Sequence, residues 1–271
     1  MDGQLSYAYA VVRPVDVLEQ RALRGVSGVA GGPVRLLRAG GVAAAVSSVP
    51  EAGYSEAALK VHLEDLDWLE AVARAHHSVV EVLAAHTTVL PLRLATVYLD
   101  DARVRDVLRQ GEETFTRMLD RLADSVEWGV KVYAEPPGDS GDPASSQAAP
   151  ADEPDPGRAY LRRRRQQHHA REATWSAAAE AVRRIEAEAG ELALAHARHR
   201  PQQGRLAVGA GENVANDAYL VPAGRSGDFR ARVLRSAEGL PGVRVEITGP
   251  WAPYSFATLS GPEEPEGAGQ P

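Results

Sequence analysis

Eight histidines are the first residues in this 271-residue chain whose type could do chemistry. A metal centre needs three or four ligands converging on one point. His76 and His77, and His168 and His169, are adjacent pairs, and neighbours on a helix point in different directions. His196 and His199 lie three apart on one face of an expected helix, but no Asp or Glu completes a recognised ligand spacing around them. They read as solvated residues, with His76 partly buried in a helix, and no metal or other cofactor is expected. The glycine-rich runs at 25–32 and 209–211 could cradle a phosphate. Neither is followed by Lys-Ser/Thr or fits a strand, glycine turn and helix, so both read as loops. Glu64, Asp65 and Asp67 sit on the polar side of a helix, the ordinary place for a solvated acidic face. Ser, His and Asp are all present without a Gly-x-Ser-x-Gly elbow. The chain carries no enzyme signature, and a non-catalytic protein is expected.

The residues that could bind are more informative. Arg162, Arg163, Arg164 and Arg165, extended by His168, His169 and Arg171, form the strongest basic run. It could contact phosphates, so a nucleic-acid-binding or other regulatory protein is the alternative function. The run abuts Asp152, Glu153 and Asp155, lies at a helix start where the macrodipole disfavours cations, and has no interleaved aromatics. An intramolecular or protein-facing role fits it better. Arg93 is the charged residue inside an apolar segment. It is either a structural arginine, snorkelling or ion-paired between two domains, or an anchor for a partner's carboxylate. Near the C-terminus, Gly249-Pro250-Trp251-Ala252-Pro253-Tyr254-Ser255-Phe256 combines two prolines with three aromatics. Proline fixes the torsion and removes a donor, so the segment leaves its sheet in one rigid direction. Trp251, Tyr254 and Phe256 then either cover the end of a core or form a docking surface for another protein.

Positioning these residues takes an α+β fold. An apolar fraction of 44% in 271 residues fills two modest cores, and two domains are expected. Residues 5–12 alternate as a strand, followed by a short helix to 23. Residues 34–37 and 42–46 flank Ala39-Gly40-Gly41 as a hairpin. From Ser55, a capping residue, one long helix is expected with Leu59, Leu63, Leu66, Val72, Val79 and Leu83 as its apolar stripe. Residues 87–98 are extended, with Pro91 at an edge or bend, and Asp100 caps a helix with Val104, Val107, Leu108, Phe115, Leu119 and Leu122 inward. The second half reads as strand 128–134, helix 158–199, strands near 204–208 and at 217–222, a helix 227–238 capped by Ser226, and strand 243–249. That order is ferredoxin-like, βαββαβ. The expected domains are therefore 1–125, an α+β layer of open topology, and 126–260, the ferredoxin-like one. An acidic Pro/Gly-rich insertion at 135–157 and a tail at 261–271 cannot bury enough apolar surface to fold.

The formal charge of −7 is concentrated in those two segments, which hold nine of the 37 acids and none of the 30 Lys and Arg. Without them 28 acids face 30 bases, so the folded body is close to neutral. Lys60 and Lys131 are the only lysines. The other cations are guanidinium groups, suited to carboxylates and aromatic faces. The absence of cysteine excludes disulfides and thiol chemistry. The first residues lack a targeting signal and no stretch approaches a membrane span, so a cytoplasmic protein is expected.

Four segments carry a family resemblance. The 249–256 segment resembles the Gly-Pro-Trp-Pro-Pro-Tyr-Ser-Phe ending of the gas vesicle GvpL/GvpF family, with Ala252 in place of the second proline. Val89-Leu90-Pro91-Leu92-Arg93-Leu94-Ala95-Thr96-Val97-Tyr98 is similar to its Leu-Pro-Leu-Arg-Phe-Gly-Thr block, with Ala95 at the glycine. Tyr7-Ala8-Tyr9-Ala10-Val11-Val12 and Asp217-Ala218-Tyr219-Leu220-Val221 complete the set in family order. The resemblance implies a minor gas vesicle protein that assists shell assembly in the cytoplasm and on the vesicle. It also implies contacts with the hydrophobic shell subunit GvpA and other accessory Gvp proteins, with no small-molecule substrate and no lipid membrane.

Overall fold

A computed structural model describes residues 3–135, 156–201 and 211–257 of the chain. Most of the expected insertion, the strand near 204–208 and the tail at 261–271 lie outside these residues. The chain forms two compact units, Met1–Val126 together with the segment from Trp251, and Glu127–Pro250.

The first unit is organised by β1 (Gln4–Val12), an apolar strand buried on both faces from Tyr7 to Val12. It pairs antiparallel with β3 (Val42–Pro50) on one side, and with β4 (Val89–Pro91) and β5 (Val97–Tyr98) on the other. β2 (Arg35–Ala39) pairs with β3 across the Gly40–Gly41 hairpin, where Gly40 has φ +61°. Pro91 closes β4 at the sheet edge, as its missing N–H requires. A register shift between Ala8 and Ala10 brings Tyr7, Tyr9, Ala10 and Val12 into one hydrophobic cluster, which strict alternation would have split.

The helix expected from Ser55 is interrupted. After the one-turn α1 (Glu51–Tyr54), Ser55 caps α2 (Glu56–His62), its hydroxyl accepting from the Ala58 amide at 3.4 Å. Asp65 then caps a new helix, α3 (Leu66–Ala84), its Oδ1 accepting from the amides of Asp67 and Trp68. A side chain that satisfies two orphan amides starts a helix more strongly than an apolar repeat continues one. Leu63 and Leu66, expected inward, are consequently exposed, whereas Val72, Val79 and Leu83 are buried. Asp100 caps α4 (Asp101–Leu122) as expected, and Val104, Leu108, Leu119 and Leu122 are its buried positions.

In the second unit the order is β6 (Ser125–Ala134), α5 (Pro156–Gly190), β7 (Ala195–His199), β8 (Glu212–Pro222), α6 (Ser226–Ser236) and β9 (Val243–Trp251). The sheet runs β7-β8-β6-β9. The expected helix to residue 199 stops at Gly190, and Ala195–His199 pairs antiparallel with β8. Alanine favours a helix there, but the edge of β8 offers five residues their ladder partners, and tertiary pairing overrides propensity. His196 and His199 therefore stand on a strand, not a helix face. Ser226 is the first residue of α6 rather than its cap, and its hydroxyl lies 3.2 Å from the Trp128 indole N–H that donates to it. Phe229 is fully buried beside Trp128 and Tyr219, with ring centroids 6.3 and 5.5 Å away. Among the described residues no helix is long and apolar enough to cross a membrane.

Candidate functional site: three motif segments around His76

Three of the four motif segments converge on one buried histidine. His76 is 2% exposed, more deeply buried than its helical setting suggested. Its Nδ1 lies 3.0 Å from the Tyr7 hydroxyl, which also accepts the Ala95 amide at 3.0 Å. The two groups share one buried hydrogen bond whose direction is set by the histidine tautomer. Burial pushes His76 down to about 4; the Leu92 backbone opposes the shift and His77 adds to it. Burial likewise pushes the Tyr7 hydroxyl up, so both groups are neutral at pH 7. Tyr9 and Tyr54 complete an aromatic cluster with Tyr7, and Tyr9 holds Ser47 at 2.6 Å and the Val29 amide at 2.7 Å.

Residues 91–96 form a tight turn on this base. The Leu92 amide donates to the Tyr9 carbonyl, and Thr96 donates both its amide and its hydroxyl to the Arg93 carbonyl. Ala95 sits at φ +60°, the left-handed region, which explains the glycine of the family block. An alanine holds that torsion at a cost of roughly 1 kcal/mol. Ala95→Gly is therefore expected to raise stability by about 0.5 kcal/mol, part of the relief being returned to a more flexible unfolded chain. A lower denaturation midpoint would contradict the left-handed torsion. The turn exposes Arg93, whose guanidinium has no hydrogen bond or ion pair among the described residues.

The C-terminal segment reaches the same histidine from another side. After Trp251, Ala252 and Pro253 are buried and residues Tyr254–Phe256 form a 3₁₀ turn. The three aromatics differ in exposure. Phe256 is buried, at 8% exposed. Tyr254 is half-buried, with its ring 6.3 Å from His76 and 6.2 Å from His77. Trp251 stands edge-on to His77 at 5.4 Å and is 40% exposed. Arg93 and Trp251 are thus the exposed members of the four residues singled out in the sequence. His76 reads from the sequence only as a partly buried helix residue, although its place between Val72 and Val79 on the apolar stripe of α3 marks it as inward-facing.

The fourth segment, on β8, serves the second unit. Asp217 is 5% exposed and lies 3.3 Å from His196 Nε2, while His196 stacks on Tyr219 at 4.6 Å. Among the described residues no group of three or more His, Asp or Glu could hold a metal ion.

Comparisons with known proteins agree with this geometry. The family model of the gas vesicle synthesis protein GvpL/GvpF matches residues 5–258. Gas vesicle protein L of Streptomyces sp. (strain CB03234) is 48% identical over 258 residues, covering 95% of this chain and 94% of that protein. Gas vesicle protein F of the same strain is 28% identical over 232 residues, 83% of this chain and 87% of that one. The crystal structures of GvpF from Anabaena sp. PCC7120 and Microcystis aeruginosa share the fold. Their TM-scores are 0.66 and 0.62 at 16% and 17% identity, over 96% and 94% of this chain and 98% and 99% of theirs. With three of its four motif segments gathered around one buried pair and a family match from β1 to the end of the C-terminal turn, the chain belongs to the GvpL/GvpF family of gas vesicle synthesis proteins.

Proposed function

We propose that this protein is a non-catalytic accessory factor of gas vesicle assembly in the cytoplasm, and that it binds the hydrophobic shell subunit GvpA or other accessory Gvp proteins. The observation that carries this reading is the exposure of Arg93 and Trp251 on rigid supports. Arg93 offers a guanidinium fork with no partner among the described residues, and Trp251 offers a flat apolar ring held by His77. A carboxylate and an apolar surface on a partner would satisfy them. The supports are preorganised, because the Arg93 turn is tied to Tyr7 and Tyr9 and the Trp251 segment is anchored by Ala252 and Phe256. An apolar, strand-rich shell subunit is an aggregation hazard before it assembles, and shielding it is a task for such a surface. We read the two units as two domains, the second ferredoxin-like in element order and strand order.

Co-expression with the shell subunit and with the accessory proteins, followed by affinity capture, tests the reading. Wild-type chain is expected to capture at least one of them, and Arg93→Glu or Trp251→Ala to reduce capture by roughly tenfold without unfolding the protein. Tyr254→Ala and Phe256→Ala are expected to lower thermal stability instead. Undiminished capture by the Arg93→Glu, Trp251→Ala double variant would remove both residues from the interface.

A further inference from the structure

α5 runs for 35 residues, and among the described residues its buried positions begin only at Thr174. Thr174, Ala178, Ala181, Ile185 and Ala189 form its buried stripe. N-terminal to Thr174, the described side chains at 158, 161, 162, 164–169 and 171–173 are exposed around the whole circumference, and Ala170 alone is half-buried. At 1.5 Å per residue this part of the helix extends about 27 Å. Residues 158–171 contain six arginines, two histidines and no acid. Like charges three and four apart repel along the helix, and they lie towards its positive dipole end. Arg164, Arg165 and Arg171 are exposed and have no hydrogen bond or ion pair among the described residues. One face carries Leu161, Arg165, His168, Glu172 and Trp175 in successive turns, with Leu161 54% and Trp175 38% exposed and Glu172 lying 3.4 Å from both His168 and His169. The two apolar side chains stand about 21 Å apart along the axis, with Arg165 between them and Arg164 and Arg171 flanking the same face.

We propose that this arm of α5 is the docking surface for an acidic amphipathic helix of another protein. The partner's apolar stripe covers Leu161 and Trp175, and its flanking carboxylates take Arg164, Arg165 and Arg171 as charge-assisted hydrogen bonds. Charge complementarity selects this occupant. A second copy of the same arm would set six arginines against six. A nucleic acid would satisfy the arginines and could stack on Trp175, but Leu161, 54% exposed at the other end of the face, offers it no ring and is left uncovered. The surface lies in the second unit and uses neither Arg93 nor Trp251, so it stands or falls separately from the function proposed above.

The test uses the full chain and a fluorescein-labelled designed peptide of about three heptads, with leucine at a and d and glutamate at the flanking positions. Two probes accompany it, the same peptide with glutamine for glutamate and a labelled single-stranded DNA of similar length. Anisotropy titrations are run at low and high salt. The acidic peptide is expected to bind at low salt and to weaken roughly tenfold with Arg164→Glu, Arg165→Glu and Arg171→Glu together, and again with Leu161→Ala and Trp175→Ala. Amide exchange in residues 158–175 is expected to slow on binding. All five positions are at least partly exposed, and far-UV circular dichroism checks that the variants keep their helix. The proposal is overturned if the acidic peptide does not bind, if the glutamine peptide binds equally well, or if either variant set leaves affinity unchanged. DNA binding tighter than the peptide and indifferent to Leu161→Ala and Trp175→Ala would assign the arm to nucleic acid instead.

Discussion

Acidification from pH 7 to pH 4 is expected to remove about 3 kcal/mol of stability from the first unit through His76 alone. The folded state holds this ring neutral, with its pKa pushed down to about 4 against 6.5 for the free side chain. Between those values the unfolded chain binds a proton that the folded chain refuses. The contribution is therefore complete above pH 6.5, declines as the pH falls towards 4, and changes no further below that. Carboxylates lose their own contributions at lower pH, so the variant His76→Gln separates the two effects. It should be less stable than wild type at pH 7, because the Tyr7 hydroxyl loses its shaped partner, yet its stability should fall less between pH 6.5 and 4.5. Hydrogen exchange followed on α3 peptides reads the first unit independently of the second. Parallel pH profiles for wild type and variant would show that the histidine is not desolvated as described.

Gly249→Ala is expected to destabilise the second unit by about 3 kcal/mol. Gly249 has φ +127°, a torsion that L-residues rarely adopt. A Cβ there would approach the Glu127 carbonyl oxygen to 2.8 Å and the Trp128 ring to 3.2 Å, and neither is the end of a flexible side chain. Torsional strain and overlap therefore add rather than offering alternatives. Thermal unfolding followed by near-UV circular dichroism should show a midpoint lowered by about 9–15 °C for a unit of this size. A midpoint close to that of wild type would mean that the end of β9 can relax away from β6.

These two residues also show what could be read in the sequence and what could not. The Gly-Pro-Trp segment was conspicuous in composition, and the reason its glycine is needed, a backbone passing close to Glu127 and Trp128, arises from pairing between distant strands. Strand β1, the hairpin at Gly40 and helix α4 followed from local pattern and capping, because their signals are satisfied within a few residues. The expected helix through Leu63 failed where Asp65 supplied a competing cap, and the one through His199 failed where β8 supplied a ladder. Both corrections come from interactions that outweigh periodicity. Arg93, Trp251, Tyr254 and Phe256 were each visible as unusual, but their division into exposed and buried members required the fold. The role of His76 depends on a hydrogen bond with Tyr7, 69 residues away, and no spacing rule carries that information.

The first unit takes its last pieces from beyond residue 250, after the whole of the second unit. On a ribosome, β1 to α4 emerge first, and residues 127–250 must then be synthesised before Ala252 and Tyr254 exist. Until they arrive, the cluster around Tyr7 and His76 lacks the side chains that close it. The second unit therefore sets the interval during which the first is incomplete, and the aromatic segment is the last part of the first unit's described core to be synthesised.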